Sequence, residues 1–283
     1  LVGSEMCIRD RMKSLWLQFQ VEATKIWKQL KIILKKGSVN HDYEAICRLY
    51  HGGPQFIDEL KALDEIGADY VEIGIPFSDP VADGPVIMEA GQAAIQAGMT
   101  AQKILNQLKA VQHELKTRTI LMTYYHTIET YGEAAFIKDA EAAGVKGLII
   151  PDLPFEYVQQ LKARHPERQL QIISLIAMTA AASRRKRIAA SAEGFIYTIT
   201  MNKVTGQNGH FHPELKNNIL DVKAQSKVPV FAGFGIRTPE HVREIIEVAD
   251  GVIIGSEIVR RFKEEGIDAT KAYLKTIKVA LES

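Results

Sequence analysis

Tyr70-Val71-Glu72-Ile73-Gly74-Ile75-Pro76-Phe77-Ser78-Asp79-Pro80-Val81-Ala82-Asp83-Gly84-Pro85 is the stretch on which the architecture turns. Val71, Ile73 and Ile75 alternate with Glu72 and Gly74, and a period of two sends the two sets to opposite faces of a strand. In a closed barrel the aliphatic face meets an outer layer of helices, so Glu72 points into the interior. A carboxylate among packed aliphatics is costly unless it is used or paired. The strand then runs into a loop punctuated by Pro76, Pro80, Gly84 and Pro85 and carrying Asp79 and Asp83. A loop at the carboxyl end of a strand is where barrel enzymes place their catalytic groups. Two carboxylates in different surroundings make a candidate acid–base pair, although loop aspartates are also common turn formers.

Outward from this stretch, short apolar runs alternate with amphipathic ones. Strands are expected at 69–75, 119–125, 147–151, 170–175, 194–199, 228–232 and 250–254, rich in Ile, Val, Leu, Phe and Tyr. Helical periodicity fills the gaps, as at 55–66, 101–115, 133–143, 239–248 and 256–281. Strand and helix in alternation imply a parallel sheet covered by helices. An eighth strand should precede helix 55–66, with 45–50 as a weak candidate. Eight such units in roughly 240 residues fit a single-domain (β/α)8 barrel, an α/β TIM barrel, better than an open sheet with a second domain.

The chain has 283 residues, 46% hydrophobic and 24% charged, with a formal net charge of +1. That balance suits a buried core and gives no electrostatic reason to expect nucleic acid or an acidic membrane as partner. A small phosphorylated substrate stays open, because backbone amides can hold a phosphate without a basic patch. Cys7 and Cys47 form no ligand cluster, and no apolar run approaches the length of a membrane span. A cytoplasmic setting is expected. His210 and His212 flank one Phe and do not have convincing metal spacing, so no metal is expected. Three glycine turns come late: Val204-Thr205-Gly206, Gly233-Phe234-Gly235 and Gly255-Ser256. The last opens a helix, whose free amides and dipole favour an anion, and barrels often bind phosphate in this quadrant.

Five segments, in this order, resemble the tryptophan synthase alpha subunit family. They are EIGIPFSDPVADGP (72–85), IPDLPFEY (150–157), FIYTITMNKVTG (195–206), FAGFGIRTPEHV (231–242) and GVIIGSEIV (251–259), and the similarity runs from about Pro54 to about Glu265. The resemblance implies a lyase that splits indole-3-glycerol phosphate into indole and glyceraldehyde 3-phosphate by acid–base catalysis. Glu72 matches the catalytic glutamate and Asp83 the aspartate that receives the indole N–H. Tyr197 and Tyr124 match substrate-binding positions. Gly206, Gly235, Gly255 and Ser256 match the phosphate cradle, with Phe234 beside it. The family implies no cofactor on this chain, pyridoxal phosphate being carried by a partner beta subunit in an alpha2beta2 assembly. A stand-alone lyase and an impaired barrel that only activates a beta subunit remain as alternatives. His126 stands where the family often has Asn, and Lys203 where Gly is common.

The amino-terminal 53 residues read differently. Residues 1–11, LVGSEMCIRDR, resemble a translated sequencing-adapter read-through, and 12–53 hold an amphipathic stretch at 14–36, read as helix, and a polar first-strand region, leaving 54–283 as the barrel. Leu49-Tyr50-His51-Gly52-Gly53, read one base out of frame, can encode Tyr-Ile-Met-Ala-Gly, a strand end of the kind the family uses. A barrel lacking one strand exposes two edges of unpaired backbone groups. Replacing 37–53 by the frame-corrected reading is therefore expected to sharpen and raise the thermal unfolding transition. Equally cooperative melts for both versions would make the segment a genuine first strand.

Overall fold

The computed structural model describes residues 34–35, 48–49, 55–80, 83–177, 179–199, 213–233 and 235–282. The strands are β1 (Leu34–Lys35), β2 (Arg48–Leu49), β3 (Tyr70–Gly74), β4 (Arg118–Met122), β5 (Gly147–Ile149), β6 (Gln171–Ala177), β7 (Glu193–Ile199), β8 (Val230–Gly233) and β9 (Gly251–Ile253). They form one sheet in the order β1-β9-β8-β7-β6-β5-β4-β3-β2. Every neighbouring pair from β2 to β9 is parallel, and β1 lies antiparallel to β9. The helices are α1 (Phe56–Glu65), α2 (Pro85–Gln96), α3 (Ala101–Val111), α4 (Tyr125–Tyr131), α5 (Glu133–Ala142), α6 (Phe155–Arg164), α7 (Ala182–Ala190), α8 (Pro213–Gln225), α9 (Pro239–Ile246) and α10 (Ser256–Glu282). None of the helices among the described residues is long and apolar enough to cross a membrane.

The sheet is curled, as the barrel reading requires. In a flat sheet β3 and β7, four places apart, would be separated by roughly 19 Å. Instead the rings of Tyr70 on β3 and Phe195 on β7 meet with centroids 5.5 Å apart, and Phe195 meets Phe231 of β8 at 4.8 Å. Those side chains must project from the concave face. The opposite face is aliphatic, with Val71, Ile73 and Ile75 buried beneath helices. The helical layer also returns to its start: α10 pairs Lys263 with Glu89 of α2 and Lys271 with Glu65 of α1, and Lys278 reaches the Ile66 carbonyl.

Local chemistry sets the element ends. Thr100 accepts the Lys103 amide and caps α3, which buries Ile104, Leu105, Leu108 and Val111. Thr238 caps α9 in the same way, with Pro239 at its first position. Strand β4 stops at Met122 rather than at the expected Tyr125, because Tyr124 already caps α4. Helices α3 and α9 end at Val111 and Ile246, short of the expected 115 and 248, and α10 is interrupted at Gly266, whose φ of 81° is left-handed.

The amino-terminal expectations fall mostly outside the described residues. Of the helix expected at 14–36, Leu34 and Lys35 are described, and they pair as strand with Val252 and Gly251, which corrects the reading there. Arg48 and Leu49 lie inside the weak first-strand candidate and pair with Ile73 and Gly74, the position a first barrel strand occupies.

One ion-pair cluster ties three helices together. Glu133 at the start of α5 takes two bonds from Arg164 at the end of α6, at 2.6 and 3.0 Å, one from Tyr125 of α4 and a contact with His165 at 3.1 Å. The Arg164 guanidinium outweighs burial and, with Tyr125 and His165, holds the Glu133 carboxyl down to about 2. A depressed carboxylate stabilises the fold above its unfolded pKa, and that contribution is lost as pH falls through the folded one. Glu133→Gln is thus expected to cost about 1 to 3 kcal/mol at neutral pH. The gap to the parent should close as pH falls from 4.5 towards about 2, which urea titrations at stepped pH will measure.

Candidate active site

Tyr70 and Glu72 share a face of β3, and Phe195 and Tyr197 share a face of β7, because side chains two residues apart point the same way. Since Tyr70 and Phe195 meet across the interior, Glu72 and Tyr197 project into the same interior. Each lies about 6.6 Å further towards the carboxyl ends, the rise of two strand residues. Both are fully buried, at 0% exposure. The alternation in 71–75 is thus realised as expected: the aliphatic residues meet helices and the carboxylate faces inward. Beside Tyr197 stands Gly233 at the end of β8. A Cβ there would lie 2.9 Å from Tyr197 Cε2, 3.0 Å from its hydroxyl oxygen and 2.7 Å from Ile253 Cβ. The glycine makes room for the tyrosine ring.

Asp83 arrives from the loop after β3, half-buried, with its amide bonded to the Pro80 carbonyl at 3.0 Å. The Tyr124 hydroxyl donates to Asp83 Oδ2 at 3.4 Å. The Tyr124 ring is 4% exposed and stacks on Phe77 of the same loop, centroids 4.9 Å apart and planes inclined by 25°. Asp79, the other loop carboxylate, is exposed.

On the far side of the mouth, Gly235 follows β8 with φ 55°, a conformation open to glycine, and its carbonyl lies 3.2 Å from His241 Nδ1. The Gly255 carbonyl accepts the Ile258 and Val259 amides at 2.7 and 3.0 Å, and Ser256 begins α10. The two amides ahead of these, of Ser256 and Glu257, precede the helix's own bonding and open beside the strand ends. Gly206 and Phe234 lie outside the described residues, as do His210 and His212. Among the described residues no group of three or more His, Cys, Asp or Glu side chains could hold a metal ion.

Three contributors were not singled out from sequence. Gly233 was visible within Gly-Phe-Gly, but its reason, the Tyr197 ring, lies 36 positions away. Phe77 offered no signal beyond its place in the loop. Asp152, after β5, entered only within the 150–157 segment; it accepts the Tyr125 amide at 2.9 Å, and burial raises its carboxyl above the usual range despite that bond. A separate hollow of 420 Å³ lies at the opposite, amino-terminal mouth, lined by Tyr70, Arg118, Lys146, Gln171, Phe195 and Phe231.

A family model described as tryptophan synthase alpha chain matches residues 46–282. The chain belongs to that family. A tryptophan synthase alpha chain of Staphylococcus saprophyticus is 60% identical over 230 residues, covering 81% of this chain and 95% of its own. One of Staphylococcus carnosus is 58% identical over 232 residues, covering 82% and 93%. Among solved structures, tryptophan synthase subunit alpha of Legionella pneumophila superposes with a TM-score of 0.74 at 33% identity, over 83% of this chain and 91% of that one. A tryptophan synthase of M. tuberculosis in its aminoacrylate-bound form gives 0.73 at 31%, over 84% and 94%.

Gly233→Ala tests the packing of this family member's interior. The added methyl must displace either the Ile253 side chain or the Tyr197 ring, at about 1 to 3 kcal/mol. Chemical denaturation should report that loss, and near-ultraviolet circular dichroism a changed tyrosine environment. An unchanged spectrum and midpoint would mean the interior has slack that the geometry does not show.

Proposed function

We propose that this chain is a carbon–carbon lyase of tryptophan biosynthesis, cleaving indole-3-glycerol phosphate to indole and glyceraldehyde 3-phosphate. The observation that carries the reading is the fully buried Glu72 carboxylate in the barrel interior it shares with Tyr197. Family membership supplies the reaction; Glu72, Asp83 and Tyr197 supply groups able to run it.

Glu72, protonated, delivers its proton to indole C3, and Asp83 takes up the ring N–H proton so that positive charge does not build on the ring. Glu72, now a carboxylate, removes the proton of the side-chain hydroxyl next to the ring. The carbonyl of the aldehyde forms, the bond to C3 breaks, and its electron pair returns to the ring as Asp83 gives the proton back to nitrogen. A carboxyl group in a dry site can act in both directions near neutral pH. Tyr197 and Tyr124 flank the indole, while Gly206, Phe234, Gly235, Gly255 and Ser256 hold the phosphate, the α10 amides meeting it at the helix terminus. No cofactor is needed on this chain. In this reading it works in the cytoplasm, docks on a pyridoxal-phosphate beta subunit as an alpha2beta2 assembly, and carries its barrel in residues 54–283.

A second reading, an activating subunit with impaired turnover, is favoured by the polar sequence of 37–53 at the first-strand position, which carries Asn40, His41, Asp42, Glu44 and Arg48. Assaying indole release with and without a beta subunit separates the two. In the lyase reading, Glu72→Gln and Asp83→Asn should each lower turnover by about two to four powers of ten with the fold intact. Indole release from the Glu72 variant at the parent rate would sink the mechanism.

A further inference from the structure

Helix α4 has no capping side chain of its own, since the residue at its N-cap is Tyr124. Its first amide, that of Tyr125, is met by Asp152 Oδ1 from the turn after the neighbouring strand β5, at 2.9 Å. The other end of the same residue is also held, the Tyr125 hydroxyl donating to Glu133. Tyr125 is thus pinned by backbone and side chain to two different carboxylates, and the backbone just before it has little freedom. That backbone belongs to Tyr124, whose ring lies against Phe77 and whose hydroxyl donates to Asp83. The turn that brings Asp152 there is closed by the Leu153 amide on the Ile150 carbonyl at 3.3 Å. A half-buried carboxylate gives up hydration, and the amides of Tyr125 and of Asp152 itself bond it in return, so of the neighbouring elements it is α4 that this carboxylate holds through the backbone.

We infer that Asp152 is a positioning residue for the lyase reaction: by holding the Tyr125 amide it sets the direction of Tyr124, and through the Tyr124 hydroxyl it orients Asp83. This rests on the reading of Asp83 as the group that handles the indole N–H proton. The role is geometric. It needs an acceptor oxygen at one point and does not need a negative charge.

Two substitutions separate those requirements. Asp152→Asn keeps an oxygen where Oδ1 stands and removes the charge. Asp152→Glu keeps the charge and moves the oxygens by one methylene. In the full chain, assayed for indole release, Asp152→Glu should lower kcat by about tenfold to a hundredfold with KM nearly unchanged, the size of loss that small misplacements of catalytic groups produce. Asp152→Asn should stay within a few-fold of the parent. In a Tyr124→Phe background, Asp152→Glu should cost far less than alone, because the two share one route to Asp83. Any of three results overturns the inference: the reverse order of Asn and Glu, losses that multiply in the double variant, or parent-like kcat for Asp152→Glu with only a lowered melting temperature. A parent chain that releases no indole would instead overturn the lyase reading itself, and the inference with it.

Discussion

The contact of Tyr70 with Phe195 across the interior of the sheet is the constraint from which the site follows. A parallel sheet must bury both faces, and this one buries its inner face against itself. Once two rings from strands four places apart touch, every second residue of those strands is committed to a dry, shared interior. Tyr70 and Phe195 form its floor with Phe231, and Glu72 and Tyr197 stand one step higher. Gly233 follows from the same crowding, since the ring of Tyr197 occupies the space its side chain would need. The loops that leave the carboxyl ends of these strands then have one place to converge, and Asp83, Tyr124, Gly235 and Ser256 all arise there.

Much of this was legible in the sequence because it rests on period and order. The alternation in 71–75 placed Glu72 inside, and the succession of runs gave seven parallel strands within a few residues of their observed bounds. The misreadings share a physical cause, in that a boundary decided by a distant partner leaves no local trace. Strand β4 looks continuous through Tyr125 because Thr123, Tyr124 and Tyr125 all suit a strand, yet the Tyr125 amide is claimed by Asp152, 27 positions on. Leu34 and Lys35 fit an amphipathic helix by pattern and are drawn into strand pairing by the edge of β9. Asp152 itself, flanked by Pro151 and Leu153-Pro154, reads as an ordinary turn former. The roles of individual residues came from family resemblance; periodicity could say that Glu72 is buried but not what its proton is for.

The two mouths of the barrel are built for different work. At the carboxyl end lie Asp83, the Gly235 turn and the start of α10, joined to the scaffold by few and directional bonds. Reinforcement sits lower and outside. Glu193 at the start of β7 takes Arg168 and Lys162, and its second oxygen accepts the Ile172 amide at 3.0 Å. Burial works to raise that carboxyl, but the cations and the amide together hold it below its ordinary value. Glu257 in the first turn of α10 is treated similarly. Burial opposes its charge, while Arg260 and Arg261 keep it low. That pairing matters for the site above it, because an acidic residue in the first turn would otherwise repel an anion drawn to the same amides. With two guanidiniums bonded to Glu257, the helix terminus remains free to attract negative charge.

Closing the ring is the remaining physical problem, since the edges of any open curled sheet offer backbone groups to solvent. The outer layer answers part of it. Helix α10 spans from the carboxyl end of β9 back to α1 and α2, and its left-handed Gly266 splits it into two arms. The first arm carries Lys263 to Glu89, and the second carries Lys271 and Lys278 to Glu65 and the Ile66 carbonyl. A straight helix of 27 residues would run about 40 Å, longer than one strand–helix unit can use. The break lets one element begin at the carboxyl end of the last strand and finish against the first helices. The same helix therefore opens its first turn at the carboxyl-end mouth and pairs with the first two helices along its length, so that the geometry of that mouth draws on packing at the other end.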